Sequence, residues 1–270
     1  MPVDPCALLP VAEQAVNIAT EIVRTMLPGA VTAKGDRDMA TEVDYAVEHA
    51  VRDFLTGETP EIGFLGEEEG LTGAENGVMW VLDPLDGTAN FTHGIPLCGV
   101  SLGLVEHDRS IAGVIDLSFL GTRYAAAEGA GATANGRPIS AGPIDALEDA
   151  IVSVGDYAVG EGAEAANRVR LPLNYELATR VQRVRMLGSA AIDLVWVAEG
   201  KIDACVILTN KPWDTSAGVI IAREAGAVVA DIDGSPHTTN SRATIAAAPK
   251  IFADFLDLVA KAEQDALRTA

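Results

Sequence analysis

The sequence predicts a mixed α/β fold in which helices pack against β-sheet. Three observations point there. The first part of the chain carries apolar residues at helical spacing. The middle changes to short apolar runs bounded by turn residues. From about residue 150 onward, strand-like and helix-like segments alternate, the pattern of helices layered on a sheet. At 270 residues, the chain is long enough for one large domain or two medium ones with a proper core.

Leu8, Val11, Ala12, Ala15, Ile18, Ala19, Ile22 and Met26 define the apolar stripe of a helix over 6–27, which Pro28-Gly29 stops. Val43, Ala46, Val47, Ala50, Val51 and Phe54 define a second over 41–55. Strands follow at Ile62–Leu65, Val78–Leu82, Leu97–Val105, Ile111–Leu117 and Arg123–Ala127, and Asn135-Gly136 signals a hairpin turn. A polar, Pro-containing connection at Ser140–Asp145 marks a boundary between an N-terminal part, 1–142, and a C-terminal α/β part, 143–270. Beyond it, strands fall at Ile151–Val154, Val184–Leu187, Ile202–Leu208, Ala227–Ala230 and Ala243–Ala247. Helices fall at Gly162–Thr179, interrupted by Pro172, and at Ala190–Ala198, Thr215–Ala225 and Phe252–Leu267.

Composition narrows the function. With 49% hydrophobic and 21% charged residues, the chain has the balance of an ordinary soluble globular protein. Its formal net charge of −20 excludes a nucleic-acid binder, because phosphate backbones require clustered Lys and Arg. Cys6, Cys98 and Cys205 are too scattered for a disulfide framework or a zinc site, and fit reduced thiols in the cytoplasm. The N-terminus lacks a basic region followed by an apolar run, so no signal peptide is expected. Apolar runs are broken by charge or glycine before reaching the length of a membrane span.

The most informative segment is Trp80–Phe91, W-V-L-D-P-L-D-G-T-A-N-F. An apolar strand ends at Asp83, Pro84 keeps Asp83 out of the helical region, and Gly87 permits a tight turn. Asp83 and Asp86 are thereby fixed close together, which is costly unless a positive charge lies between them. Oxygen ligands on a rigid bend suit a hard cation such as Mg²⁺, with the Leu85 carbonyl as a further donor. By itself D-P-x-D-G is equally good surface-turn chemistry. Three further segments add acidic groups. Gly66-Glu67-Glu68-Glu69 follows a short apolar run and reads as either a ligand loop or a solvated acidic loop. Thr41-x-x-Asp44 reads alone as a capping box. Asp214, in Lys211-Pro212-Trp213-Asp214, follows a strand and precedes a helix rich in small residues; it reads as a helix N-cap, a functional carboxylate, or both. His49, His93, His107 and His237 read as surface or packing residues.

Taken in order, these segments resemble the inositol monophosphatase family. The match runs through Lys34, Thr41 and Asp44, then Gly66-Glu67-Glu68. It continues with Asp83-Pro84-Leu85-Asp86-Gly87-Thr88-x-Asn90-Phe91, Trp213-Asp214-x-x-Ala217-Gly218 and Glu224-Ala225-Gly226, covering roughly residues 10–250. The resemblance implies a layered α/β/α/β/α sandwich of the inositol monophosphatase and fructose-bisphosphatase type, found as a homodimer and inhibited by lithium. It implies that Glu67, Asp83, Asp86 and Asp214, with the Leu85 carbonyl, hold two or three Mg²⁺ ions, Glu67 also serving the catalytic step. Asp44 and Thr88 would activate the attacking water. The Gly87 and Thr88 amides would hold phosphate, and Gly188-Ser189-Ala190 would form the substrate-contacting turn, with Asp86 and Asp214 also facing the substrate. Lys34 would lie near the outer metal.

The reaction so implied is Mg²⁺-dependent hydrolysis of a small phosphorylated metabolite, first inositol 1-phosphate. Hydrolysis of histidinol phosphate, fructose 1,6-bisphosphate or 3′-phosphoadenosine 5′-phosphate is the alternative, and a non-catalytic metal-binding protein of the same fold a remoter one. One departure bears on the substrate: inositol-specific members carry an acidic residue seven positions before the W-D aspartate, where this chain has Ile207. Lys211 and Ala227 also depart from the common pattern.

Overall fold

The computed structural model describes residues 3–27, 29–33, 39–74 and 77–268. Helix α1 (Pro5–Thr25) is followed by a short antiparallel pair, β1 (Val31–Ala33) and β2 (Met39–Thr41), and by α2 (Glu42–Glu58). Next come β3 (Gly63–Gly66), β4 (Gly70–Thr72), β5 (Val78–Asp86) and the short helix α3 (Thr88–Thr92). Strands β6 (Gly99–Glu106), β7 (Arg109–Leu117), β8 (Thr122–Ala127), β9 (Gly131–Ala134) and β10 (Arg137–Pro138) complete an eight-stranded sheet in the order β10-β9-β8-β7-β6-β5-β3-β4. The chain continues as β11 (Ile151–Val154), α4 (Ala163–Arg180), β12 (Arg183–Arg185), α5 (Ala190–Ala198), β13 (Ala204–Ile207), α6 (Pro212–Glu224), β14 (Val228–Ala230), β15 (Thr244–Ala247) and α7 (Phe252–Arg268). Five of these strands form a second sheet, ordered β12-β11-β13-β15-β14.

Five layers result. Helices α1 and α2 cover one face of the large sheet, burying Ala12, Val16, Ala19, Val47 and Val51 against Trp80, Leu82 and Leu104. Helices α5 and α6 lie between the two sheets, and α4 and α7 close the outer face of the small one. The expected α/β/α/β/α sandwich is the observed fold. Among the described residues, α1 alone would pass as a membrane span by length and composition, against the sequence expectation, but its apolar stripe is spent on this core.

The middle layer explains the small residues of α6. A Cβ on Gly103 of β6 would lie 2.8 Å from the Ser216 Cβ, and one on Gly113 of β7 would lie 2.7 Å from the Ala217 Cα. On the other side, a Cβ on Gly218 would lie 2.6 Å from Leu194 of α5. Glycine at these three points lets α6 settle on the sheet, which fixes where its first turn, with Asp214, must sit.

Several elements differ from the sequence expectation. Strand β5 does not end at Asp83. It pairs with β6 through Asp86, with Asp83 opposite Ser101 and Asp86 opposite Gly99, so one extra residue is bulged out. Pro84 is tolerated there because a bulge does not need its missing N–H. Helix α4 runs unbroken through Pro172, held by the packing of Leu173 and Leu177 on the small sheet. Strand β12 stops at Arg185 rather than Leu187, because Leu187 and Gly188 turn towards Asn90. Helix α6 begins at Pro212 with Lys211 as its cap residue, so Asp214 lies in the first turn and is not the N-cap. Asn135 and Gly136, at φ 49° and 73°, make the expected hairpin turn between β9 and β10.

Candidate active site

The site is built around the bulge of β5. The Asp83 carboxylate accepts from the Leu85 N–H at 2.9 Å, closing the turn on itself. Gly87 follows at φ 90°, and a Cβ there would lie 2.7 Å from the Leu97 carbonyl oxygen, so both backbone and space demand glycine. The turn delivers Thr88 to the start of α3. Its hydroxyl lies 3.0 Å from the Leu85 carbonyl and 3.3 Å from Asp44 Oδ1, and its single proton serves one of them at a time.

Asp44 forms the capping box that its sequence predicts and also faces Thr88. It is the third residue of α2 and closes a capping box with Thr41, accepting from the Thr41 N–H at 2.8 Å and the Thr41 hydroxyl at 2.5 Å through Oδ2. That locks the side chain and leaves Oδ1 towards Thr88. One turn further along α2, Glu48 is fully buried and accepts from the backbone N–H groups of Glu68 and Glu69, each at 2.9 Å. This holds the turn after β3 that carries Glu67. Glu67 is half-buried, and Glu69 points out to His49 and Arg52.

Asp86 is held from the other side. Its Oδ2 accepts from the Ser189 hydroxyl at 2.5 Å and the Ala191 N–H at 2.7 Å, with Ala190 contributing from the same turn. Ser189 also caps α5, accepting from Ile192 N–H at 3.2 Å. The carboxylate therefore sits at the N-terminus of α5, where the helix dipole favours it. Gly188 stands at φ 70° beside Asn90, whose amide donates to the carbonyls of Leu97 (2.7 Å) and Leu187 (2.8 Å) and ties the turn before α5 to the segment after α3. Asp214 is brought over the bulge by α6. Ser101, opposite Asp83 in the ladder, donates to the Trp213 carbonyl at 3.4 Å. Asn210 fixes the preceding loop by four bonds: it donates to the Thr239 and Ser241 carbonyls and accepts from the Thr215 and Thr244 hydroxyls.

The electrostatics follow from this convergence. Burial above all pushes the Asp83 carboxyl well above its usual range, and Glu67, Asp86, Asp214 and Asp44, all of its own sign, push it further. Asp86 is raised by burial to about 6, the bonds from Ser189 and Ala191 opposing the shift. Asp44 is raised by burial, opposed by Thr41 and helped by Glu67. Cys98, buried behind the site, is pushed up to about 12 by burial and by Asp86 and Asp44, which leaves it inert as a nucleophile. Among the described residues no three His, Cys, Asp or Glu side chains already close into a metal cage. One oxygen of Asp86 is engaged by the first turn of α5. The donor set fits a hard divalent cation: oxygen donors on a rigid bulge, and a buried carboxyl whose four acidic neighbours disfavour its charge.

Sequence reasoning assembled Asp44, Glu67, Asp83, Asp86, Thr88, Asp214 and the Gly188-Ser189-Ala190 turn, and the structure brings all of them to one end of the middle layer. Lys34 lies outside the described residues. Ile207 is a buried strand residue paired with Thr244. Of the histidines, His237 is buried against Thr244 and His49 meets Glu69. Glu48, Ser101, Asn90's bridging role and Asn210 were missed. An acidic residue on the buried stripe of α2 was the available signal for Glu48.

The sequence matches the inositol monophosphatase family over residues 4–264. It is 36% identical to the probable inositol 1-monophosphatase ImpA of Mycobacterium tuberculosis over 255 residues, 93% of this chain and 94% of that one. It is 33% identical over 228 residues to a protein of Aquifex aeolicus named fructose-1,6-bisphosphatase/inositol-1-monophosphatase, with 84% of each chain covered. The fold superposes on the extragenic suppressor protein suhB of Bartonella henselae with a TM-score of 0.87 and 30% identity, covering 94% of this chain and 99% of that one. A layered α/β sandwich with a cluster of carboxylates at the bulge of β5 is the architecture of a metal-using phosphatase. The chain belongs to the inositol monophosphatase family and is a phosphatase.

Proposed function

We propose that the protein hydrolyses a small phosphate monoester with Mg²⁺, inositol 1-phosphate first. The observation that carries this is the convergence of Glu67, Asp86, Asp214 and Asp44 on the buried Asp83. Glu67, Asp83, Asp86 and Asp214, with the Leu85 carbonyl, would hold two or three Mg²⁺ ions. A bound divalent cation supplies the positive charge that neutralises phosphoryl oxygens and acidifies water. The chain's own residues do the rest. Thr88 orients the attacking water through its hydroxyl, and Asp44 Oδ1, its partner at 3.3 Å, accepts the proton. Burial favours that role, because it makes the Asp44 carboxyl a stronger base. The Gly87 and Thr88 amides at the start of α3 receive the phosphate, and Gly188, Ser189 and Ala190 present the α5 turn to the alcohol part of the substrate.

The substrate is the finer part of the reading. Relatives named inositol-1-monophosphatase favour inositol 1-phosphate. The Aquifex relative's double name, and the apolar Ile207, keep fructose 1,6-bisphosphate as the second reading. Cytoplasmic location, a homodimer and lithium inhibition complete the proposal on family grounds. So does a division into 1–142 and 143–270, supported by the eight-stranded sheet preceding residue 142 and the five-stranded sheet following it. The test is phosphate release from myo-inositol 1-phosphate, histidinol phosphate, fructose 1,6-bisphosphate and 3′-phosphoadenosine 5′-phosphate, each with Mg²⁺ and with chelator. Mg²⁺-dependent release led by inositol 1-phosphate supports the reading. Release led by another compound reassigns the substrate, and no Mg²⁺-dependent release from any overturns it.

A further inference from the structure

Arg170 of α4 carries its charge with no carboxylate beside it among the described residues. Strands β11 and β13 run parallel, with Val154 opposite Val206 and the Gly155 N–H donating to the Val206 carbonyl at 3.0 Å. Helix α5 returns to β13, so its N-terminus, which holds Asp86, lies at the carboxyl end of that strand. The loop that leaves β13 there, 208–211, leads into Asp214. Ligands of parallel sheets sit at this end of the strands.

Arg170, in the first half of α4, reaches the same end from the opposite face of the small sheet and donates to the Thr209 hydroxyl at 2.7 Å. Thr209 is exposed, and Arg170 lines a cleft with Gly155, Tyr157, Asn174 and Leu208. These neighbours are neutral, and Asn174 is engaged with the Tyr157 hydroxyl. No carboxylate lies within ion-pair distance of Arg170 among the described residues. Its pKa is lowered, by burial. In a chain of net charge −20, a half-buried guanidinium kept among neutral groups is poised for an anion that arrives from outside. A guanidinium carries five N–H donors, and one hydroxyl leaves most of them for a second acceptor. The loop that bears Thr209 is rigid, because Asn210 anchors it through four bonds.

We propose that Arg170, with Thr209, is a subsite for a second phosphoryl group of the substrate, so that sugar bisphosphates are taken at the same catalytic centre as monophosphates. This rests on the phosphomonoesterase reading above. The second phosphate is bound and not cleaved; it positions the ester at the other end of the molecule over Asp83 and Asp86.

The experiment compares kcat/KM for fructose 1,6-bisphosphate and fructose 1-phosphate, which differ only in the distal phosphate, in Mg²⁺-loaded wild type, R170A, R170K and T209V. myo-Inositol 1-phosphate serves as the reference. A charge-assisted, bidentate phosphate contact corresponds to about a ten- to hundredfold preference for the bisphosphate in the wild type. R170A should bring that ratio close to one by lowering the bisphosphate far more than either monophosphate. R170K, which keeps the charge but not the fork, should fall between, and T209V should lower the ratio less than R170A. A wild-type ratio near one, with good turnover of inositol 1-phosphate, overturns the subsite and leaves the phosphatase reading intact. Equal losses on all three substrates in R170A also overturn it, assigning Arg170 to holding the loop. Absence of Mg²⁺-dependent release from every substrate removes the phosphatase reading, and the subsite with it.

Discussion

Glu48 and Gly66 make one contact, and it can be tested as one. The Glu48 carboxylate is buried and accepts two backbone N–H groups, from Glu68 and Glu69, each at 2.9 Å. A Cβ on Gly66 would stand 2.2–2.4 Å from the three atoms of that carboxyl group. The backbone of Gly66 is not in the left-handed region, so it is space, taken up first by the Glu48 carboxyl group, that excludes alanine. Glu48→Ala removes the acceptor, and Gly66→Ala expels it. Either change leaves the same two amides unpaired, at about 1–3 kcal/mol each, so each single variant should lose about 2–6 kcal/mol of stability. The double variant should lose no more than one single, because the methyl group fills the space that the carboxylate left. The coupling energy should therefore approach the size of one single effect, well beyond the ~0.5 kcal/mol expected of independent sites. Urea unfolding of the four proteins in chelator measures it. Because the turn positions Glu67, both single variants should also need more Mg²⁺ for half-maximal activity, by about ten- to hundredfold. Additive losses, or single losses below ~0.5 kcal/mol, would refute the contact as the anchor of the Glu67 turn.

Other outcomes follow from the same geometry. Asp86→Asn keeps an oxygen for Ser189 and Ala191, so the fold should persist while kcat/KM falls by more than about a hundredfold in phosphate release. Asp44→Asn should lower kcat by about 10²–10⁴ with little change in KM, read from steady-state kinetics. The metal-free protein should lose stability as pH rises. The folded pKa values of Asp83 and Asp86 lie above the usual value, so their stabilising contribution is full below about pH 4 and is lost as pH rises through about 6 for Asp86 and further for Asp83. Thermal melts in chelator should therefore show a lower Tm at about pH 8 than at about pH 5, with Mg²⁺ closing much of the gap. A pH-independent effect of Mg²⁺ would contradict this.

How far the sequence led depended on how local each cause was. Helix α5 was legible to the residue, because Ser189 caps it and an apolar run fills it. The ends of β5 and α6 were not. The bulge that carries β5 through Pro84 exists because β6 pairs on both sides of it, and no local propensity encodes that. Pro212 reads as a breaker until the helix it opens is known. The short β1, β2, β4 and α3 carry too few residues for a periodicity. From its own residues Asp44 was legible only as a cap; its role beside Thr88 came from the resemblance, because Thr88 reaches it from the start of α3, 44 residues on. Glu48 had the opposite difficulty: a glutamate on a helix reads as solvated, and its partners are backbone amides, which have no sequence signature. Asn210 escaped for the same reason, since two of its four bonds go to main-chain carbonyls of the loop before β15.

The central claim is that the carboxylates gathered on Asp83 form a divalent-metal site. Calorimetric titration of Mg²⁺ into metal-free wild type and Asp83→Asn, in two buffers of different ionisation enthalpy near pH 6, tests it most directly. The asparagine keeps an oxygen for the Leu85 N–H, and removes the charge that its four neighbours disfavour. The account predicts Mg²⁺ binding with proton release in the wild type. It predicts strongly weakened binding in Asp83→Asn, together with a higher Tm in chelator than the wild type. Equal Mg²⁺ affinity in the two proteins, or binding with no proton release, would contradict it.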